Sequence, residues 1–196
     1  VTLLFACKEK WMFQHKPWVG PNYRVGISGA RVAIVGNSHW SEDDSEDSTM
    51  FVISKILDGT WKNIAFFRQI KDYFSFADAL EFWNQVIFFN YAPRSIGGAD
   101  DRYNQIPGEM VEEAKERFTS ILVRYKPENV FAFSSKIRWA LPEMHLSIPN
   151  VPLKSARTGL LTSGESPAHI FLLRHTQGAN KCEMTDTVKK LLGSKE

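Results

Sequence analysis

Four short apolar runs, each followed directly by polar residues, constrain the fold of this chain more than any other feature. The first run, residues 32–35, is Val-Ala-Ile-Val and leads into Gly36 and the pair Asn37-Ser38. Apolar runs without alternation are typical of parallel strands buried on both faces. Glycine permits a backbone turn that a residue with a Cβ resists. Because ligands of open parallel sheets bind just beyond the carboxyl ends of the strands, we expect function at Asn37, Ser38 and His39.

The other three runs lie at residues 86–90, 130–133 and 169–174. Helical patterns separate them, and alternating strands and helices predict a mostly parallel sheet with helices on both faces. We therefore predict a single α/β domain over residues 1–196. It is a three-layer sandwich around a central four-stranded, mostly parallel sheet. Residues 1–30 mix aromatic residues with proline and glycine, which predicts an irregular, aromatic-rich N-terminal segment.

Apolar residues at helical spacing predict the helices. They fall at residues 50–57, 61–74, 78–84, 107–126, 136–141 and 185–192. Pro107 suits the first position of its helix, and Pro127 cannot continue it. Residues 91–106 and 142–168 are rich in glycine and proline and are predicted to be loops.

The composition limits the class of protein. With 196 residues, 43% hydrophobic and 13% aromatic, the chain can form a core and is not disordered. A net charge of +2 neither requires nor excludes a nucleic-acid partner. Cys7 and Cys182 lack the spacing of a zinc or iron–sulfur site, so we expect no metal and no cofactor. Two free thiols in a reducing cytosol are the preferred interpretation, with a single disulfide as the alternative.

No run approaches the roughly 20 apolar residues of a membrane-spanning helix, so we expect no membrane partner and a cytoplasmic location. Residues 42–47 carry a dense acidic run, which predicts a solvated loop. Two alternatives stay open: one carboxylate folds back into the cleft, or the loop binds a cation.

Polar residues follow all four predicted strands, and a parallel sheet brings them to one edge. The carboxamide of Asn90 has one acceptor and two donors, so it can read the edge of a nucleobase with paired hydrogen bonds. His175 can donate to a carbonyl oxygen on which negative charge develops. Asn37 can orient a water molecule. Polar strand ends are also normal for solubility, and no phosphate-binding loop, dinucleotide-binding or metalloprotease motif is present.

In their order and rough spacing over about residues 30 to 180, these residues resemble the uracil-DNA glycosylase superfamily, in particular bacterial proteins that share that fold. The resemblance is carried by residues 35–40, 82–83, 86–91, 107, 126–130 and 174–176. It implies the fold of that superfamily and hydrolysis of an N-glycosidic bond in DNA, after the base has been taken out of the stack. The substrate would be a damaged or deaminated, uracil-like base.

The resemblance also implies roles for individual residues. Asn37 and Ser38 match the loop that positions the attacking water, and His175 matches the histidine that stabilises the departing base. We assign these three to catalysis. The residues predicted to bind the base are Asn90, Phe51, His39 and Tyr91. Those predicted to contact phosphate or the nucleic-acid backbone are Thr176, Gln177, Ser134 and Arg94.

The chain departs from the superfamily pattern at three places. His39 stands where a proline is usual, no Asp or Glu directly follows Gly36, and the usual His-Pro-Ser is His175-Thr176-Gln177. A general base typically contributes about 10²–10⁴ to the rate, so losing a carboxylate is costly. The alternative function is therefore a non-catalytic module that binds nucleic acid, a nucleotide or a protein. A serine hydrolase using Ser38, Asn90 and His175 is a weaker third hypothesis, because the Gly-x-Ser-x-Gly elbow is absent.

Overall fold

The structure, a computed structural model, describes residues 13–101, 104–163 and 166–193. In this part the chain forms one mixed sheet of six strands with helices on both faces. The strands are β1 Trp18–Val19, β2 Val32–Gly36, β3 Val86–Asn90, β4 Asn129–Ala132, β5 Arg157–Ser163 and β6 Ser166–Leu172. Their spatial order is β1-β3-β2-β4-β6-β5. The predicted α/β class is thus confirmed.

The four predicted strands are β2, β3, β4 and β6, and they are parallel to one another in the order β3-β2-β4-β6. The predicted number of four strands is wrong, because an antiparallel strand flanks them on each side. The strand β5 lies within residues 142–168, where glycine, serine and threonine favour a loop. The strand β1 has only two residues, too few to leave a pattern in the segment that was predicted to be irregular.

The helices are α1 Ser48–Leu57, α2 Ala65–Tyr73, α3 Ala79–Trp83, α4 Val111–Tyr125 and α5 Lys181–Gly193. Short 3₁₀ helices span Ala99–Asp101, Gly108–Met110 and Ser135–Ala140. The helix α4 carries Glu112 and Glu113 in its first turn and Arg124 in its last, which complements the helix dipole. It ends at Lys126, whose backbone is left-handed, and Pro127 prevents continuation.

The core lies on both faces of the sheet, as strand alternation requires. In β2, Val32 and Ile34 pack in the cluster that includes side chains of α1, α2, α3 and α5. Ala33 and Val35 pack in the cluster that includes α4. The sheet therefore lies between two helical layers, and its carboxyl edge is left to the loops after β2, β3, β4 and β6.

None of the helices in the described part of the chain is long and apolar enough to cross a bilayer.

Candidate functional site

The loops after β2 and β3 run side by side and extend the parallel ladder beyond the sheet. Gly36 is paired with Asn90 at the ends of the two strands. The N–H of Tyr91 donates to the Gly36 carbonyl at 3.0 Å, and that of Ala92 donates to the Asn37 carbonyl at 2.9 Å. Backbone hydrogen bonds thus hold the predicted water-positioning loop against the predicted base-reading residue.

Asn90 lies in a space that only a glycine neighbour leaves open. A Cβ at position 36 would come within 2.2 Å of Asn90 Oδ1 and 3.5 Å of Phe66 Cζ. Asn90 is 4% exposed, and its backbone oxygen accepts from Arg117 Nη1 at 2.8 Å. The structure shows no hydrogen bond from its carboxamide to another described residue. Because buried amides are normally satisfied, this side chain has hydrogen-bonding capacity left for a ligand.

The aromatic ring beside Asn90 is that of Phe66, near the start of α2. It stacks on the ring of His175 with centroids 5.4 Å apart and planes 24° from parallel. Phe51, predicted for this role, is instead 53% exposed and meets Trp61 edge-on at 5.5 Å. The sequence could have indicated Phe66, because two adjacent aromatic residues on a helix cannot both face the core. Phe67 is buried in the core, and Phe66 is left half-buried at the sheet edge.

His175 has a defined tautomer in this arrangement. Its Nδ1 accepts from the backbone N–H of Gln177 at 3.1 Å, so the neutral ring carries its proton on Nε2. Partial burial, followed by the charge of Lys136, lowers the pKa of His175 below its usual value. The ring is therefore neutral at pH 7 and presents Nε2–H as a donor.

Asn37 is oriented by its neighbours. Its Nδ2 donates to Ser38 Oγ and to the carbonyl of Asn104, both at 3.2 Å. Because the carbonyl can only accept, the amide orientation is settled, and the buried Oδ1 is left without a partner among the described residues. That oxygen can accept a hydrogen bond from water. No hydrogen bond connects Ser38 to a histidine in the described part of the chain, which gives the serine hydrolase hypothesis no geometric support.

The side chain of His39, which was predicted to bind the base, contacts Thr49 and His15 instead. Its Nε2 contacts Thr49 Oγ1 at 2.9 Å, and its ring meets His15 edge-on at 5.0 Å. Burial, with a smaller contribution from His15, lowers the pKa of His39 to about 3. The ring is therefore neutral and part of the packing behind the loop.

One carboxylate of the acidic run folds back onto the protein, but its partners are His15 and Ser95 rather than residues of the candidate site. Asp44 Oδ1 lies 2.6 Å from His15 Nε2, and Asp44 accepts from the N–H and hydroxyl of Ser95 at 2.8 and 2.7 Å. Burial raises the pKa of Asp44, but the hydrogen bonds from Ser95 and His15 outweigh it and hold the pKa below its usual value. The other four acidic residues of the run are exposed, as predicted for a solvated loop. Asp44 is thus ionised, and its oxygens already accept hydrogen bonds from His15 and Ser95.

Three further predicted residues have their polar side-chain atoms engaged by other residues of the protein. Tyr91 is fully buried on the opposite face from Asn90, and its hydroxyl donates to the Ala140 carbonyl. Arg94 is buried in a two-pronged ion pair with Glu113, at 2.9 and 2.8 Å. Ser134 Oγ accepts from the N–H of Lys136 and so caps a 3₁₀ helix. Successive residues of a strand face opposite ways, which separates Tyr91 from Asn90.

The last two predicted residues lie beside His175. Thr176 is buried. Gln177 is exposed, and its backbone N–H donates to His175 Nδ1. Within the described residues, no three histidine, cysteine or acidic side chains are placed to hold a metal ion.

No protein-family model matches the chain, and no characterised protein matches it in sequence.

Proposed function

We propose that the protein hydrolyses the N-glycosidic bond of a damaged or deaminated, uracil-like base in DNA, on a fold of the uracil-DNA glycosylase kind. The observation that carries the proposal is the convergence of Asn90, Phe66 and His175 at one edge of the sheet. A side-chain amide with no hydrogen bond to any described residue, a half-buried ring and a neutral imidazole donor are the groups needed to bind a flat base with a carbonyl oxygen.

In the proposed reaction, the extruded base packs beside Phe66 while the Asn90 carboxamide pairs with its edge. The bond between the base and C1′ breaks, and its electron pair moves onto the base. His175 Nε2–H donates to the carbonyl oxygen on which that charge develops. The sugar passes through an oxocarbenium-like state. A water held by Asn37 Oδ1 then bonds to C1′ and releases its proton to solvent.

No described carboxylate forms a hydrogen bond with Asn37, so the proposed mechanism has no carboxylate general base. Asp44 is the acid of the run that folds back, and its oxygens are occupied by His15 and Ser95. Asn37 can place a water but cannot take its proton, so the proposed rate enhancement comes from leaving-group stabilisation and positioning. We expect turnover slower by about 10²–10⁴ than with a carboxylate general base.

The test is base release from labelled single- and double-stranded oligonucleotides that carry uracil, hypoxanthine, xanthine or a mismatched thymine, with strand cleavage by heat or alkali as the readout. We expect release from at least one substrate, and loss of release in His175→Ala and Asn90→Ala. His145→Ala, which changes an exposed histidine outside the cleft, serves as the matched control. Full activity in both cleft variants would overturn the proposed mechanism.

The second candidate is a non-catalytic module that binds single-stranded nucleic acid through the same cleft. It is favoured because no described carboxylate forms a hydrogen bond with Asn37, while Asp44 is bound to His15 and Ser95. Base stacking contributes about 1–3 kcal/mol per base without chemistry. Salt-sensitive oligonucleotide binding with no base release, lost in Phe66→Ala, is the result expected for this alternative.

We place either function in the cytoplasm. Cys182 is exposed and free, which suits a reducing compartment, while Cys7 lies outside the described residues.

A further inference from the structure

A concavity of about 640 Å³ lies at the opposite edge of the sheet from the candidate site. Arg31 lines it just before β2 begins, whereas Asn37 follows the end of that strand. The turn around Arg24 and the carboxyl end of α4 form its other walls. We call this concavity the amino-edge pocket.

Four cations line the amino-edge pocket: Arg24, Arg31, Arg124 and Lys126. None of the described residues that line it is acidic. Arg31 pairs with Glu128 outside the lining, at 3.6 Å, and both side chains are more than a third exposed, so that pair is weak. The structure shows no ion pair between the other three cations and a described residue. In a chain of net charge +2, this is a strong local concentration of positive charge.

The backbone that carries these cations is held in place. The buried Tyr23 donates its hydroxyl to the Tyr125 carbonyl at 3.1 Å and so ties the turn to the end of α4. The N–H of Gly20 donates to the Val86 carbonyl at 3.0 Å, which anchors the other end of the turn. The N–H of Arg31 donates to Glu128 Oε2 at 2.9 Å. The walls of the pocket are therefore organised before any ligand arrives, which reduces the entropy lost on binding.

Helix stabilisation explains only part of the cluster. Arg124 and Lys126 lie at the carboxyl end of α4, where the helix dipole favours cations. Arg24 and Arg31 belong to a turn and to the start of a strand, about 100 residues away in sequence. Neither residue is part of α4, so stabilisation of that helix does not explain why they are there. Four like charges around one pocket repel one another, and Glu128 is the one described carboxylate that pairs with any of them.

We propose that the amino-edge pocket binds a small ligand with two or more phosphates, such as pyrophosphate or a nucleoside di- or triphosphate. Guanidinium groups match phosphate oxygens in pairs, and three of the four cations are arginines. The volume is within the range of small-molecule sites, about 300–1,000 Å³. A concave, nucleotide-sized shape favours a small polyphosphate over the extended basic stripe typical of nucleic-acid binding.

The test is calorimetric titration of the full chain with pyrophosphate, ATP and inorganic phosphate at low and high salt. We expect pyrophosphate and ATP to bind more tightly than inorganic phosphate, with affinity falling as salt rises. The double variant Arg24→Gln/Arg124→Gln removes two exposed cations and should weaken pyrophosphate binding at least about tenfold. Arg68→Gln/Arg138→Gln removes the same charge from exposed residues outside the pocket and should bind as the wild type does.

Three results would overturn the proposal: no binding of pyrophosphate or ATP by the wild type, an equal loss in the control variant, or binding at this pocket of a single-stranded oligonucleotide alone. Thermal unfolding of both double variants, measured without ligand, establishes that they are folded. His175→Ala should keep its affinity for pyrophosphate, so failure here is distinguishable from failure of the proposed cleft function.

Discussion

At Gly36 the missing side chain is what makes room for the Asn90 carboxamide. A Cβ there would overlap Asn90 Oδ1, because the two residues are directly paired at the ends of neighbouring parallel strands. The backbone at Gly36 has no left-handed conformation. Glycine is therefore required at position 36 because a side chain would collide with the Asn90 carboxamide, and not because of the backbone conformation.

We expect Gly36→Ala to displace the Asn90 side chain and to lower the free energy of unfolding by about 1–3 kcal/mol, as overpacking does. Base release should be lost with it. Gly108→Ala is the matched control, since a Cβ there meets nothing within 4 Å, and it should change stability by no more than about 0.5 kcal/mol. Urea unfolding of both variants provides the measurement. Equal stability of the two would contradict the close approach at Gly36.

The second prediction at this scale separates two phenylalanines. Phe66→Leu removes the ring stacked on His175, so we expect substrate binding to weaken by about 1–3 kcal/mol, the contribution of one stacked base. Phe51→Leu removes an exposed ring that contacts Trp61 and should leave binding unchanged. Oligonucleotide affinity measured by fluorescence anisotropy distinguishes the variants. A larger loss in Phe51→Leu would support Phe51, the ring that the family resemblance implied.

At the scale of elements, the helix α4 supports the candidate site from behind through Arg117. This guanidinium is 5% exposed and donates to the carbonyl oxygens of Asn90 and His15, while it lies over the Phe89 ring at 5.5 Å. Burial lowers the pKa of Arg117 to about 10, so it stays charged at neutral pH. Arg117, on α4, therefore connects that helix both to the end of β3 and to the segment that precedes β1.

We expect Arg117→Met to destabilise the protein by roughly 3 kcal/mol, since two buried carbonyls lose hydrogen bonds to a charged donor. Arg68→Met, at an exposed position of α2, should change the free energy of unfolding by no more than about 0.5 kcal/mol. Chemical unfolding followed by circular dichroism gives both values. A small effect at Arg117 would mean that water replaces the guanidinium at both carbonyls.

At the scale of the whole molecule, buried neutral histidines make stability depend on pH. The pKa of His39 falls from its usual 6.5 to about 3 on folding, and that of the 1%-exposed His15 is also lowered, with burial outweighing Asp44. The unfolded chain therefore binds more protons in acid. Stability is fully present above the unfolded value and is lost as the pH falls from about 6.5 towards 3. The lowered pKa of Asp44 adds a loss in the same direction below its usual 3.8.

Between pH 7.5 and pH 5, we expect His39 alone to account for a loss of about 2 kcal/mol in the free energy of unfolding. His39→Gln keeps an amide near Thr49 and removes the titrating ring, so it should flatten this dependence. His145→Gln, which changes an exposed histidine, should leave it as in the wild type. Urea midpoints at several pH values test the difference, and parallel curves for the two variants would refute the role of His39.

The sequence by itself determined the four parallel strands and the polar residues at their ends. Buried parallel strands are local and nearly continuous in apolar character, so β2, β3, β4 and β6 are readable without any knowledge of their neighbours. The positions of Asn37, Asn90 and His175 follow from the same pattern. The two antiparallel flanking strands do not, because β1 is two residues long and the composition of β5 favours a loop.

Only the tertiary structure decided which side chains meet at the candidate site and which do not. Phe66 rather than Phe51 lies against His175 because of where α2 packs on the sheet, and Asp44 reaches His15 across 29 residues of sequence. The amino-edge pocket likewise joins a turn, a strand start and a helix end. Hydrophobic periodicity reports which face of an element is buried, whereas contacts between distant elements depend on how those faces pack together.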